Sequence, residues 1–509
     1  MATATSTRTS ERLTSFNPAT GEAIGSVPIM TADEVDAAVA RARVASQRWG
    51  ALTFAARAEE LTAFRKALAA HSTELAELMH KENGKPLAEG YGEVLNSLSH
   101  LKHAVERAEH ALAPKKVSSG VLANFRSTIS YHALGVIGVI GPWNYPMFTP
   151  MGSISYALAA GNACVWKPSE LTPLIAVKIA EIARATFALP DLLQVVTGAG
   201  ATGAALAKAA VDKIAFTGSA ATGKRVMMAA SERLTPVLLE LGGKDPMIVA
   251  DDADIAKAAE ACVFGALTNA GQACVSIERV YVSDKVHDRF VDEVVKQVRE
   301  LKTGGDDGDL GAMTSSQQVE IVKNHLEDAV AKGAKVHTGG VSAISGNYIQ
   351  PTVLTNVNHQ MKIMNDETFG PMIPIQRVDS LDEALQLAND TTFGLGSAVF
   401  TSSKTARTLA SKIKSGMTAI NSVMAFSGIP NLPFGGVGDS GFGRIHGDEG
   451  LREFTRVKAT AEQSFSLPMN MLSFKQPKDQ ATKLKGMIDT LFGEGIVAKA
   501  TDAWRKFRS

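Results

Sequence analysis

The sequence predicts an α/β fold built from two units of similar size. Three observations carry this. From about residue 121, short β-branched runs alternate with helical patterns, as in a mostly parallel sheet covered on both faces. A second alternating block runs from Pro246-Met247-Ile248-Val249 to about residue 440, which sets a boundary near 241–245. At 509 residues the chain is long enough for two or three domains with large cores.

The elements follow in order. The first 14 or so residues are rich in Ser and Thr and are expected to fray. Asn17-Pro18-Ala19-Thr20-Gly21 reads as a turn. Thr31-Ala32-Asp33-Glu34 is a capping box that opens a helix to about Trp49. Helical patterns continue over 57–80 and 89–113, with Leu61, Phe64, Leu68, Leu75 and Leu78 on one face. Strands are expected at 135–140, 163–166, 193–196 and 213–216, with helices around 150–160, 173–187, 202–210 and 222–232 between them.

Composition excludes some functions. Lys plus Arg is 52 and Asp plus Glu is 52, so no charge excess points to nucleic acid. The N-terminus lacks an apolar h-region, and no stretch approaches the roughly 18 apolar residues of a membrane span. Cys164, Cys262 and Cys274 are too few and too scattered for a disulfide framework, so a cytoplasmic location is expected. Residues 475–509 carry eight Lys or Arg against four Asp or Glu. That tail reads as a segment packed on its own or a neighbouring subunit. The second reading is a basic amphipathic segment in weak contact with a membrane surface, with Met487, Ile488, Leu491 and Phe492 on one side.

Two glycine motifs stand between strand and helix. Gly198-Ala199-Gly200-Ala201-Thr202-Gly203 is a literal GxGxxG, but the next strand ends in Phe216-Thr217-Gly218 without the ribose-binding carboxylate. It reads equally as a tight packing turn. Gly218-Ser219-Ala220-Ala221-Thr222-Gly223-Lys224 nearly matches a P-loop, but Arg225 stands where Ser or Thr must hold magnesium. The helix start at Gly218 and Ser219 still suits a dinucleotide phosphate.

The most informative pair is Cys274, in Asn269-Ala270-Gly271-Gln272-Ala273-Cys274, and Glu240, 34 positions earlier. A thiol attacks a carbonyl carbon, and a carboxylate activates the water that releases the product. With Pro142-Trp143-Asn144-Tyr145-Pro146, Lys167-Pro168-Ser169-Glu170, Phe216-Thr217-Gly218-Ser219, Glu240-Leu241-Gly242-Gly243-Lys244, Glu367-Thr368-Phe369-Gly370-Pro371 and Pro433-Phe434-Gly435-Gly436, this run resembles the aldehyde dehydrogenase superfamily from about Asn17 to Thr460.

The resemblance implies a Rossmann-like cofactor domain (1–120 and 134–242), a second α/β catalytic domain (243–440) and a small β oligomerisation arm (121–133 and 453–464), followed by a tail over 465–509. It implies that Cys274 is the nucleophile, Glu240 the general base and Asn144 an oxyanion donor. Trp143, Lys167, Ser169, Glu170, Gly200, Gly218, Ser219, Leu241, Glu367 and Phe369 are expected to hold the cofactor. Glu170 disfavours a 2′-phosphate, so NAD is expected, with NADP as the alternative. Lys244 is expected to position the base, without a chemical step of its own. Asp448 stands where many relatives carry a second base, but the run Arg444-Ile445-His446-Gly447-Asp448 departs from their pattern. No metal is implied. Members form dimers or tetramers through the arm.

The family's substrate tunnel falls on Met147, Phe148, Met151 and Val275, which are apolar, so a hydrophobic aliphatic or aromatic aldehyde is expected. The run Asn431 to Gly441 resembles the fatty and aromatic aldehyde subgroup, which often lacks the 17–21 segment present here. The competing readings are a semialdehyde dehydrogenase such as one for succinic semialdehyde, a coenzyme A-acylating enzyme, and a non-catalytic nucleotide-binding paralogue. Coenzyme A-acylating relatives lack the Glu240 carboxylate, and a non-catalytic paralogue is expected to lose Cys274, Glu240 or Asn144.

Overall fold

The computed structural model describes residues 11–305, 308–467, 472–475 and 478–493. They form two compact units, one of residues up to 113 with 131–456, the other of 114–130 with the segment from 457.

The start of the described chain departs from the frayed segment expected. Arg12–Phe16 pairs antiparallel with Ala23–Pro28. The turn at 17–21 closes this hairpin, with the Gly21 N–H on the Asn17 carbonyl at 2.7 Å. Gly21 sits at φ 76°, a region open to glycine without a Cβ clash. Residues 1–10 of the expected frayed end lie outside the described residues.

Thr31 caps the helix Ala32–Gly50 reciprocally with Glu34, an arrangement worth about 1 kcal/mol. The pattern over 57–80 is two helices, Phe54–Ala70 and Ser72–Asn83. The break falls at His71, whose ring Nδ1 takes a contact with the Ala67 carbonyl at 2.9 Å. Leu61, Phe64, Leu68 and Leu75 are fully buried on both sides of it, so the apolar face survives the break.

A six-stranded sheet has the order Gly441–Phe442, Val237–Glu240, Lys213–Thr217, Val136–Ile140, Ala163–Lys167, Leu193–Val195. All neighbours are parallel except the Gly441–Phe442 edge. From the central Val136–Ile140 the chain runs first to one side, then returns to build the other. The switch lies between Val136–Ile140 and Lys213–Thr217, and such a reversal opens a crevice beyond the carboxyl ends of the strands.

A seven-stranded sheet begins five residues after Glu240, with Asp245–Val249 flanked by Ile277–Ser283 and Ala398–Phe400. Met372–Val378 and Thr352–Thr355 extend it on the Ile277 side. A three-stranded sheet has the order Thr455–Gln463, Phe125–Ala133, Lys115–Val117, and most of its residues, apart from 131–133 and 455–456, belong to the second unit. The second unit also holds a helix, Gln480–Phe492, with Ile488, Leu491 and Phe492 exposed. Tail positions 468–471, 476–477 and 494–509 lie outside the described residues. No helix among the described residues is long and apolar enough to cross a membrane.

Candidate active site

A cavity of about 730 Å³ opens at the switch point of the six-stranded sheet. Two strands of that sheet feed it directly. Val136–Ile140 runs out into Gly141-Pro142-Trp143-Asn144, and Lys213–Thr217 runs out into Gly218-Ser219. Ser219 then caps the helix Ala220–Ser231, accepting from the Thr222 N–H at 3.3 Å. The free first-turn amides of such a helix start are suited to an anion.

A third strand ends in Lys167, whose Nζ lies 3.1 Å from Oε2 of Glu170. Gly200 and Gly203 open the helix Gly200–Lys208 on the same cavity. A β-carbon at Gly203 would stand 3.8 Å from Lys167 Cδ, and Gly200 has nothing within 4 Å. The literal GxGxxG therefore divides its work. Gly198 at φ 146° makes the turn, where a β-carbon would meet Thr202 Oγ1 at 2.1 Å, and the other two glycines bare the wall. In the near P-loop, Lys224 turns out to Asp439 at 3.6 Å, is exposed and does not line the cavity. A side-chain-poor wall, a capped helix start and a volume in the usual range for small-molecule sites fit a dinucleotide.

The other wall comes from the seven-stranded sheet. Cys274 lines the cavity, partly exposed, three residues before the strand Ile277–Ser283. The loop before it is strained: Asn269 at φ 51° and Ala270 at φ 54° occupy the left-handed region ahead of Gly271 at φ 73°, at about 1–3 kcal/mol for each non-glycine residue. Gly271 admits no side chain, since a β-carbon would meet the Gly370 carbonyl at 2.2 Å. Polar contacts from outside hold the loop. The Asn269 N–H donates to both Glu89 oxygens at 2.9 Å, and Asn269 Nδ2 donates to the Asn144 carbonyl at 2.9 Å. Asn144 Nδ2 donates to the Gln272 carbonyl at 3.0 Å. A primary amide has two N–H donors, so this bond uses one of them.

Glu240 closes its strand, paired with Thr217 and Gly441. It is buried, and neither oxygen has a hydrogen-bond partner among the described residues. Burial pushes its carboxyl up to about 8 against the opposing Arg444 charge. The Cys274 thiol is pushed up too, first by burial, then by Glu240, Asp245 and Glu367. Glu367 lines the cavity and accepts from the Gly243 N–H at 3.0 Å. A β-carbon at Gly242 would lie 2.4 Å from its carboxylate. Phe369, at φ 53°, meets Trp143 edge to face with ring centroids 5.4 Å apart.

The structure thus brings Trp143, Asn144, Lys167, Ser169, Glu170, Gly200, Gly218, Ser219, Leu241, Cys274, Glu367 and Phe369 to one cavity. It does not bring the expected tunnel residues to that cavity. Met147 and Met151 are fully buried core, Val275 is buried, and Phe148 packs against His100 with ring centroids 5.2 Å apart. Glu240 does not line the cavity either. Asp448 is bound by Arg107 at 3.0 Å.

Residues 5–460 match the aldehyde dehydrogenase family. The chain belongs to that family. It is 38% identical over 508 residues to the 4,4′-diapolycopene aldehyde oxidase of a Methylomonas species, spanning 97% of this chain and 95% of the relative. It also resembles two solved structures. One is an NAD-dependent aldehyde dehydrogenase from Sinorhizobium meliloti, with a TM-score of 0.87 and 32% identity, covering 91% of this chain and 93% of that one. The other is an NADP-dependent glyceraldehyde-3-phosphate dehydrogenase from Bacillus halodurans in complex with NADP, with a TM-score of 0.86 and 32% identity, covering 90% and 97%. The protein is therefore an oxidoreductase of aldehydes that works with NAD or NADP.

Several side chains that shape this dehydrogenase site were not among those expected. Asn83 Nδ2 donates to the Trp143 carbonyl at 2.9 Å. Lys85, fully buried, donates to the Asn144 carbonyl at 2.9 Å and to Glu93 at 2.6 Å. Glu93 in turn accepts from the Met147 and Phe148 N–H groups, capping the helix Phe148–Ala159. Glu278 accepts from the Thr368 and Phe369 N–H groups at 2.7 and 2.8 Å and binds Lys244 at 2.6 Å. Lys244 thereby ties two site loops together. A signal for Glu93 was present in the sequence: Glu93, Ser97 and His100 sit at helical spacing beside Val94 and Leu101, and all are buried.

Proposed function

We propose that this enzyme oxidises a hydrophobic aldehyde to its carboxylic acid through a covalent intermediate on Cys274. The observation that carries the reading is the opening of Cys274 onto the same cavity as the Ser219 helix start and the Trp143–Phe369 pair. Cys274 Sγ gives its proton to a water molecule and adds to the aldehyde carbon, whose C=O π bond opens to a thiohemiacetal oxyanion. Asn144 Nδ2 and the Cys274 backbone N–H stabilise that charge. A nicotinamide cofactor, which Trp143, Ser219, Glu367 and Phe369 would hold in this cavity, would supply the two-electron hydride acceptor that converts the thiohemiacetal on Cys274 to a thioester. Glu240, as its carboxylate, takes a proton from water, whose oxygen attacks the thioester carbonyl. The acid departs and the thiol is restored.

A hydrophobic substrate is supported by the absence of any cation among the sequence neighbours Met147, Phe148, Met151 and Val275, although these side chains pack in the core and do not line the cavity. The 38% identical relative, named for 4,4′-diapolycopene aldehyde, supports it as well. The test is NADH or NADPH absorbance with decanal, benzaldehyde and succinic semialdehyde. A higher kcat/KM for decanal or benzaldehyde is expected, and a clear preference for succinic semialdehyde overturns the assignment. The exposed edge strand Thr455–Gln463 is suited to pairing with another copy. A homodimer or homotetramer is accordingly expected by light scattering, and a monomer at micromolar concentration contradicts it.

A further inference from the structure

Glu240 is surrounded by backbone more than by charge. Its strand Val237–Glu240 lies between Lys213–Thr217 and Gly441–Phe442, with Thr217 and Gly441 opposite Glu240 itself. Neither carboxylate oxygen has a hydrogen-bond partner among the described residues. Two ionisable groups interact with it there. One is Cys274, whose thiol is held protonated in part by the Glu240 charge. The other is Arg444, whose positive charge favours the carboxylate form against the effect of burial. In a thioester the Cys274 sulfur is acylated and carries no charge. At the step where Glu240 has to act, Arg444 is therefore the charge that faces it.

The backbone gives Arg444 a defined place. It follows the edge strand Gly441–Phe442, which runs antiparallel to Val237–Glu240 and so leads away from Glu240. The Arg444 side chain turns back. Its Nη1 donates to the Gly436 carbonyl at 2.9 Å and to the Gly443 carbonyl at 2.6 Å. The two side chains meet at Gly435. A β-carbon there would lie 2.8 Å from Glu240 Oε1, 3.0 Å from Arg444 Cδ and 2.7 Å from the Gly443 carbonyl oxygen. Gly435 stands at φ 153°, where a side chain is strained in any case. The guanidinium is half-buried, so its charge is screened less than one at the surface. An arginine bonded directly to the carboxylate would occupy the oxygens that have to reach water. Here the donors go to two glycine carbonyls, and both Glu240 oxygens stay free.

We propose that Arg444 is a positioning residue that acts through Glu240: clamped on the Gly436 and Gly443 carbonyls, its charge holds Glu240 as a carboxylate for thioester hydrolysis without bonding to it. This rests on the reading of Glu240 as the general base. Thiol addition and hydride transfer precede that step and do not use Arg444.

The test compares the pH profile of kcat with decanal for wild type, Arg444→Gln and Arg444→Lys. The rising limb assigned to Glu240 is expected to move up by about one pH unit in Arg444→Gln, which reads as about a tenfold loss of kcat below the limb and little loss above it. Arg444→Lys keeps the charge without the planar fork, and is expected to leave the limb within about half a pH unit of wild type. Hydride transfer, followed as reduced nicotinamide in a single turnover with enzyme in excess, is expected to keep its rate in both variants. A limb that stays in place in Arg444→Gln overturns the proposal. So does a loss of kcat that is equal at every pH, or a slower single turnover. Should Arg444→Gln not fold, Arg444→Lys decides alone, since a limb displaced by a full pH unit with the charge retained overturns the proposal. Glu240→Gln is expected to abolish the limb, and adding Arg444→Gln to it is expected to move nothing further. A limb that survives Glu240→Gln removes the general-base reading itself, and the role of Arg444 with it.

Discussion

The two walls of the cavity are built by different physics. The cofactor wall is local: strands of one sheet end, glycines follow, and a helix begins within two or three residues of Thr217. Its geometry is encoded next to the residues that use it. The nucleophile wall is the reverse. Cys274 follows Asn269 and Ala270 in a disfavoured backbone, restrained by Glu89, Asn144 and Gln272. The comparison teaches that the wall that only has to receive phosphate can be read from neighbours in sequence. The wall that has to aim a sulfur is assembled from residues up to about 180 positions away.

The largest expected effect separates the walls outright. Cys274→Ala is expected to lower turnover by about 10⁶-fold, as for loss of a nucleophile, while NAD affinity by fluorescence titration changes little. Loss of both together contradicts the division. Glu240→Gln comes next, with an expected fall of about 10²–10⁴-fold. Its pH dependence has a definite sign. The buried carboxyl keeps its proton up to about 8, so the base form grows, and kcat, which includes thioester hydrolysis, rises as pH passes through that value. Stability moves the other way. The native state holds a proton that the unfolded chain releases near 4.5, so the Glu240 contribution is full below 4.5 and is lost as pH rises through about 8. Glu240→Gln is expected to flatten that part of the denaturation profile. An unchanged slope assigns it to Asp245 and Glu367, which are shifted in the same direction.

Much of this was legible in the sequence, for physical reasons that also mark where legibility stops. The Thr31 capping box, the Gly21 turn and the alternating strands are short-range, and the structure has them where the sequence places them. Cys274 and Asn144 stood out through motif context, and the structure puts them on one cavity. The order of the strands was not legible, because pairing across Val136–Ile140 and Lys213–Thr217 skips two intervening strands. Nor were Lys85 and Glu278, while Glu93 left only the weak trace of its helical spacing with Ser97 and His100. A charge inside a helical or strand pattern reads as a solvated face until a partner on another element shows that it is buried. The break at His71 escaped notice because the apolar spacing continues through it.

The buried charges test whether the nucleophile wall depends on its remote supports. Glu93→Ala leaves Lys85 buried without its carboxylate and frees two helix N–H groups, so a loss of about 3–5 kcal/mol is expected in denaturant titrations. A loss below about 1 kcal/mol contradicts the structural weight given to this pair. Glu278→Gln is milder. It keeps one acceptor for the Thr368 and Phe369 amides and removes the charge that binds Lys244. KM for the cofactor is expected to rise about tenfold with a smaller change in kcat, since Glu367 and Phe369 shift while Cys274 stays in place.

The smallest effect belongs to the local wall. Ser219 caps its helix through one hydrogen bond at 3.3 Å, and Ser219→Ala costs such a cap about 0.5–2 kcal/mol. The backbone amides proposed to receive phosphate remain, because they belong to the chain and not to the serine. Cofactor KM is expected to rise only about two- to fivefold, with kcat nearly unchanged. If Ser219→Ala lowers kcat as much as Glu278→Gln does, then the two walls are coupled, and the contrast between a locally built cofactor wall and a remotely supported nucleophile wall no longer holds.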